Sequence, residues 1–379
     1  MAAVALIPPL RRSEPRARPP PLGGPVIDTL GVAVVGCGTI ARSYARLLPG
    51  PELEIRGFTD IDPERAAAMA ATFGGRAYRD LDAVLGDDSV DVVVNLTSPS
   101  AHYEVIRRCI EAGVHVHTEK PLALDGGSAH ELVRLAEESG VRLSCAPANT
   151  LGEAAQTMMR IVRGGGLGTV RLVYAEANWG RLETWHPAPA EFYAVGPLAD
   201  VGVYPLTLAT AMFGPARRVY GYGTVLHEHR SGSTGEPFTV RSPDFLVCLI
   251  ELADGPLLRL TCNFYVPNHS RQRGVEVHGD DGSLYLDDFQ AFDATVTTAP
   301  FAGTPAEEPL VREPFQGIDW SRGVRQLARS IAAGRPHPTA AAQAAHVVDI
   351  IDAARTSIHT GQPVEVTSTF PPPESMPWA

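Results

Sequence analysis

A single lysine, Lys120, stands in a chain of 379 residues whose 32 cationic side chains are otherwise all arginine. Arginine keeps its proton and presents a broad planar fork, whereas an ammonium is a compact donor whose pKa moves on burial. Lys120 is therefore a candidate for chemistry that a guanidinium cannot do; the alternative is a surface lysine kept by chance. It lies in Glu119-Lys120-Pro121, directly after the apolar run Val114 to Thr118. A second constellation is Asp200-Val201-Gly202-Val203-Tyr204. Residues four apart share one face of a helix, so a carboxylate and a phenol stand together, with a glycine between them that permits close approach of a ligand or strand. The third is Gly36-Cys37-Gly38-Thr39-Ile40-Ala41, a G-x-G-x-x-A turn. Gly36 permits the tight turn, Gly38 lets the backbone approach a pyrophosphate, and Ala41 lets a helix pack closely on a strand.

That fingerprint requires a strand before it and a helix after it, and the pattern supplies both. Gly31 to Gly36 is a short β-branched run and Thr39 to Leu48 has helical periodicity through Ile40, Tyr44 and Leu47. The alternation continues with strands predicted over Leu53 to Thr59, Val90 to Leu96, Val114 to Thr118 and Val141 to Cys145. Helices are predicted over Pro63 to Phe73, Ser100 to Ala112 and Ser128 to Ser139. Parallel strands with helical crossovers form an open doubly wound sheet. The second strand ends at Asp60, where a carboxylate accepts from both hydroxyls of an adenosine ribose and repels a 2′-phosphate, so the cofactor expected is NAD rather than NADP. A helix-capping role for Asp60 is the alternative, and Asp62 fits that role better.

Composition narrows the class. The chain is long enough for two domains, is 44% hydrophobic, and carries a net charge of −11 with no basic stripe, which argues against nucleic acid as a partner. Cys37, Cys109, Cys145, Cys248 and Cys262 are odd in number and widely spaced, so neither a disulfide framework nor a metal site is indicated, and a reducing cytoplasm fits. No run of about 18 apolar residues suggests a membrane span. Met1 to Asp28, rich in arginine and proline, lacks the apolar stretch of a secretion signal and reads as a disordered tail or an over-extended start. The organisation expected is a tail over 1–29, a dinucleotide-binding domain over 30–150, a substrate-binding and oligomerisation domain over 151–366, and a proline-rich extension over 367–379.

The run DVVVNLTSPSAHYEVIRRCIEAGVHVHTEKPL, from Asp91 to Leu122, resembles the glucose-fructose oxidoreductase / inositol dehydrogenase / MocA family. The likeness resumes at Gly164 to Val170, at GPLADVGVYPLTLATAMFG (Gly196 to Gly214) and at Thr356 to Val364, and spans about residues 30 to 366. It implies an N-terminal Rossmann domain followed by an α+β domain with a large, mostly antiparallel sheet. Strand-like runs at Val170 to Asn178, Arg218 to Leu226, Phe245 to Leu252, Leu257 to Tyr265 and Gly274 to Val277 fit that domain independently. Tyrosine at 204, where most members carry histidine, is similar to the glucose-fructose oxidoreductase and sugar 3-ketoreductase branches, and Thr207 makes an inositol substrate unlike the pattern.

The implied reaction moves a hydride between nicotinamide and a secondary alcohol or ketone of a sugar-like polyol, so a proton-transfer group must sit within hydrogen-bond reach of the reacting oxygen. Tyr204 is the expected acid/base, with Lys120 as donor to that oxygen and as the charge that favours the phenolate. A half-buried helical tyrosine is the plain alternative. Asp200 is expected to hold a second substrate hydroxyl or to orient Lys120. By family position Glu119 contacts the cofactor near the nicotinamide, Pro121 follows a cis peptide, Thr39 and Ile40 lie at the pyrophosphate, and Thr97, Ser98 and His102 lie around the nicotinamide-side ribose. His102 equally reads as a helical residue exposed to water. Asn149 matches a cleft-facing asparagine, although the arginine that commonly follows is absent. Trp185, with His186 and Tyr193, forms either a carbohydrate-stacking wall or ordinary packing. Competing functions are a cofactor-binding regulator without catalysis, and a glycosidase or lyase that uses tightly held NAD for transient oxidation. The resemblance also implies a homodimer or homotetramer.

Overall fold

The computed structural model describes residues 29–233, 235–253, 255–267, 269–335, 337 and 341–379, so the tail expected over 1–29 lies almost wholly outside the described residues. The first sheet is built from β1 (Leu30–Val35), β2 (Leu53–Thr59), β3 (Arg76–Ala77), β4 (Val92–Asn95), β5 (His115–Thr118) and β6 (Leu143–Cys145). All pair in parallel in the order β3-β2-β1-β4-β5-β6. The helices are α1 (Ala41–Leu47), α2 (Pro63–Phe73), α3 (Leu81–Leu85), α4 (His102–Glu111) and α5 (Gly126–Glu138). Local chemistry starts them: Asp62, Asp80 and Asp125 accept from the backbone N–H of Glu64, Ala83 and Ser128, and Pro63 takes the first helical position. Strand β3 and helix α3 escape the sequence reading because each is shorter than the window in which periodicity shows.

The second domain runs α6 (Glu153–Arg163), β7 (Val170–Asn178), α7 (Pro189–Val195), α8 (Val203–Phe213), β8 (Ala216–Thr224), β9 (His229–Ser231), β10 (Pro237–Thr239) and β11 (Phe245–Leu252). It continues through β12 (Leu257–Asn263), β13 (Gly274–Gly279), β14 (Gly282–Leu286), β15 (Val296–Pro300), β16 (Ala306–Glu307), α9 (Arg322–Ala333), α10 (Ala341–Thr360) and β17 (Val364–Glu365). Nine of these strands form one sheet, β16-β15-β14-β13-β7-β12-β11-β8-β17, antiparallel except where β12 runs parallel to β7. Helices cover one face. The other leaves Tyr220, Tyr222 and Leu249 exposed.

Two helices stitch the domains together. Although α9 follows the second sheet in sequence, its Val324, Leu327 and Ala328 pack with Val32, Val34 and Ala41 of the first domain. Helix α10 carries two stripes: Ala341, Ala345 and Val348 pack on the first domain, while Val347, Ile350, Ile351 and Ala354 pack on the second sheet. The cut at 150/151 therefore separates the sheets but not the helices. Of the proline-rich residues 370–379, Phe370 and Met376 are buried and the rest are half-buried or exposed. Among the described residues no helix is long and apolar enough to cross a membrane.

Candidate active site

In a doubly wound sheet ligands bind outside the carboxyl ends of the strands, where the strand order reverses. Here that point lies between β1 and β4. Gly36 ends β1 with φ +94°, and a Cβ there would lie 2.6 Å from the Leu96 carbonyl, so only glycine closes the turn. In front of Gly38 nothing lies within 4 Å of where a Cβ would stand, leaving the backbone open to an incoming phosphate. Thr39 and Ile40 complete the turn before α1. Asp60 ends β2 with Oδ2 2.6 Å from the Cys37 N–H and Oδ1 2.9 Å from the Asp62 N–H. The helix cap is Asp62, so Asp60 is held at the fingerprint turn, where a ribose would lie. An open backbone cradle with a fixed carboxylate beside it fits an adenine dinucleotide.

From β4 the chain turns through Thr97 and Ser98. Thr97 Oγ1 donates to Asn95 Oδ1 at 2.7 Å. His102 is fully buried, and its ring nitrogens face the carbonyls of Pro121 at 2.7 Å and Thr97 at 3.1 Å. The water-exposed alternative for His102 is thereby overturned. Burial lowers its pKa although both carbonyls oppose this, and a neutral ring donates to only one of the two, so His102 sits between the Thr97 turn and Pro121 with each nitrogen turned to the protein.

Strand β5 delivers Glu119 and Lys120 at its carboxyl end, and the Lys120–Pro121 bond is cis, as is Ala146–Pro147 after β6. Tyr44, on α1, donates to Glu119 Oε1 at 2.7 Å. Lys120 Nζ donates to Asp200 Oδ1 at 2.5 Å and to the Asp200 carbonyl at 2.7 Å, and lies 5.7 Å from the centre of the Tyr204 ring. The spacing of Asp200 and Tyr204 was read as one regular helix. Instead Leu198–Gly202 is a π-helical turn leading into α8. Pro205 brings no N–H to the i+5 position, and the Asp200 carbonyl accepts from Lys120.

Tyr204 packs against Phe289, 6.1 Å between ring centres, and shares its crevice with Gln290. Asn149, in the turn after β6, donates through Nδ2 to the carbonyls of Tyr204 at 3.2 Å and Phe289 at 2.8 Å. Two acceptors fix the amide orientation and leave Oδ1 buried with no partner among the described residues. Tyr44, Glu119, Asn149, Tyr204, Gln290 and Trp320 line one crevice of about 330 Å³, and a second of about 380 Å³ reaches Lys120 between α8 and α10.

Two causes oppose each other at Tyr204. Burial pushes the Tyr204 phenol above its ordinary pKa, and the Lys120 charge opposes this without reversing it. Lys120 itself is pulled down by burial but held above its ordinary value by Asp200, Tyr204 and Glu119. A charged ammonium thus stands beside a neutral phenol. Trp185 is more than half exposed, edge-on to His186, and lines neither crevice. Tyr193 is core: it bonds Glu183 at 2.6 Å under the Arg230 guanidinium. The sequence reading missed Tyr44, Phe289, Gln290 and Trp320. The only local signal was Asp287-Asp288 ahead of Phe289 and Gln290, where Asp288 Oδ1 accepts from the Gln290 and Ala291 N–H groups.

Comparison with known proteins shows the family. An oxidoreductase family described as having an NAD-binding Rossmann fold matches residues 30–146, and the GFO/IDH/MocA C-terminal domain matches residues 155–285. The dTDP-3,4-didehydro-2,6-dideoxy-alpha-D-glucose 3-reductase of Streptomyces violaceoruber is 30% identical over 280 residues, 69% of this chain and 73% of that protein. The D-apiose dehydrogenase of Paraburkholderia graminis is 28% identical over 270 residues, covering 67% of this chain and 66% of that protein. Among solved structures, GenD2 from gentamicin A biosynthesis in complex with NAD superposes with TM-score 0.73 at 28% identity, covering 92% of this chain and 99% of that chain.

Proposed function

The chain belongs to the GFO/IDH/MocA family of NAD-binding oxidoreductases that act on sugar CH–OH groups, and from that premise we propose how its own residues perform the reaction. NAD, when bound along the Gly36–Ile40 turn, supplies or accepts the hydride. Lys120 donates to the reacting oxygen of the substrate, its ammonium held by Asp200. Tyr204 gives its proton to that oxygen when a ketone is reduced and takes it back when an alcohol is oxidised. Asn149 Oδ1, with no protein donor, accepts from a neighbouring substrate hydroxyl. Glu119, fixed by Tyr44, lies at the nicotinamide end of the cleft, and Thr97 and Ser98 lie at the adjoining ribose. Asp60 takes the hydroxyls of the adenosine ribose and favours NAD over NADP.

The observation that carries this reading is the 2.5 Å contact of Lys120 Nζ with Asp200 Oδ1 beside the Tyr204 ring, at the seam where the first sheet's carboxyl edge meets the second domain. The substrate class is a sugar or sugar-like polyol with a free secondary hydroxyl, or its keto form. Five free, buried cysteines suit a reducing compartment, and we place the enzyme in the cytoplasm. The test follows absorbance at the NADH band while hexoses, pentoses, aminosugars and their 3-keto forms are offered with each cofactor. Turnover of at least one secondary alcohol or ketone, lost in Tyr204→Phe, is expected; bound NAD with no turnover on the whole panel would refute it.

A further inference from the structure

We propose that residues 370–379 form a strap that positions the substrate side of the cleft by holding the Asn149–Leu151 turn from behind. This rests on the reading of Asn149 as a substrate contact.

Three attachments carry it. The backbone N–H of buried Met376 donates to Gln156 Oε1 at 2.9 Å, and the same amide, through Nε2, donates to the Thr150 carbonyl at 2.6 Å. Gln156 is itself buried, so its two ends connect the strap directly to the residue after Asn149. The Trp378 ring lies 3.6 Å from the Arg312 guanidinium. Arg312 binds buried Glu153, which Arg322 also reaches at 3.1 Å, and Arg322 donates to the Leu151 carbonyl at 3.1 Å. Finally Arg163 grips Ser375 Oγ at 2.8 Å and the Pro373 carbonyl at 2.9 Å, and with the same group bonds the Ala211 carbonyl in α8, the helix that carries Tyr204.

The strap is thus linked, through Gln156, Arg312 and Arg163, to both elements that present the substrate-side residues, and these links do not run to the Gly36 turn or Asp60. Pro371, Pro372 and Pro373 restrict the backbone, so little entropy is lost in laying it down. Because Asn149 is placed by a short turn rather than by a strand, small shifts at Thr150 and Leu151 move its amide directly.

The test uses the full chain with Trp378→Ala, which removes one stacking contact, and separately Gln156→Met, which removes both amide bonds. KM for a substrate found in the panel should rise about fivefold or more, with kcat changed less than about twofold and NAD affinity unchanged. Trp378→Phe should restore the wild-type KM. Hydrogen exchange should rise over residues 149–157 and not at the Gly36 turn. A fall in Tm with unchanged KM and unchanged exchange over 149–157 would make the strap a stability clamp only and overturn the proposal. Exchange is read without substrate, so a panel that yields no turnover refutes the proposed reaction while the strap is still decided.

Discussion

At Lys120 the difference between ammonium and guanidinium decides the site. The two acceptors on Asp200, one side chain and one main chain, lie close enough for one nitrogen to reach both. A planar fork spreads its donors and pushes the reacting oxygen away. Lys120→Arg should lower kcat by about a hundredfold or more, because small misplacements near the chemistry are costly, while NAD affinity stays within about threefold. Single-turnover kinetics with a cofactor titration separate the two. For Tyr204 the sign follows from burial: its pKa is raised, so the proton is present through neutral pH. Ketone reduction, which uses that proton, should be flat across neutral pH and fall only on the alkaline side, whereas alcohol oxidation should climb with pH. Tyr204→Phe should remove the climb and cost about a hundredfold or more in kcat; a pH–rate profile in both directions checks it.

Whole elements set cofactor choice and loop order. Because Asp60 is fixed at the end of β2 by the Cys37 and Asp62 N–H groups, it accepts ribose hydroxyls from a set position. Asp60→Asn removes the repulsion of a 2′-phosphate and should narrow the preference of the wild type for NADH over NADPH; equal use of NADPH by the wild type would contradict the reading. The segment carrying α7 is tied down by Arg230 in β9, which lies buried between Glu183 and Asp244. Removing one member of such a cluster leaves buried carboxylates uncompensated, so Arg230→Met should cost about 3–5 kcal/mol by chemical denaturation. Burial raises the Glu183 pKa, but bonds from Tyr193, Arg230 and Arg181 outweigh it and hold the group down at about 2. Its stabilisation is present above the ordinary carboxylate range and is lost as pH falls toward that value.

On the scale of the molecule, the nine-stranded sheet is covered by helices on one face and left with Tyr220, Tyr222 and Leu249 exposed on the other. A broad face of this kind is expected to be buried against a second copy, giving a homodimer or homotetramer. Light scattering at micromolar concentration should give a multiple of the 40.4 kDa chain mass, and Leu249→Arg with Tyr222→Asp should return it to one. A monomeric wild type would refute the assembly. On the same scale the domains are joined by α9, which returns to the first domain's core, and by α10, which buries apolar residues in the cores of both.

Much of the first domain, and several strands of the second, were legible because their information is local. Alternating apolar runs, an aspartate cap with a following proline, and a glycine turn each act within a few residues, so β2, α2, β7 and β11 fall where periodicity places them. Lys120, Asp60 and the fingerprint stand at strand ends for the same reason. What the sequence left open depends on residues far apart in the chain. Gln290 comes into the Tyr204 crevice only once the second domain is folded, and Tyr44 meets Glu119 only once α1 packs beside the end of β5, and no spacing encodes those contacts. The π-turn at Asp200 was half legible, since Pro205 announces a missing N–H, but its capture by Lys120 needed the domains docked. The direction of the Tyr204 shift was likewise tertiary: a charge nearby can be inferred from spacing, whereas the burial that outweighs it exists only in the folded cleft.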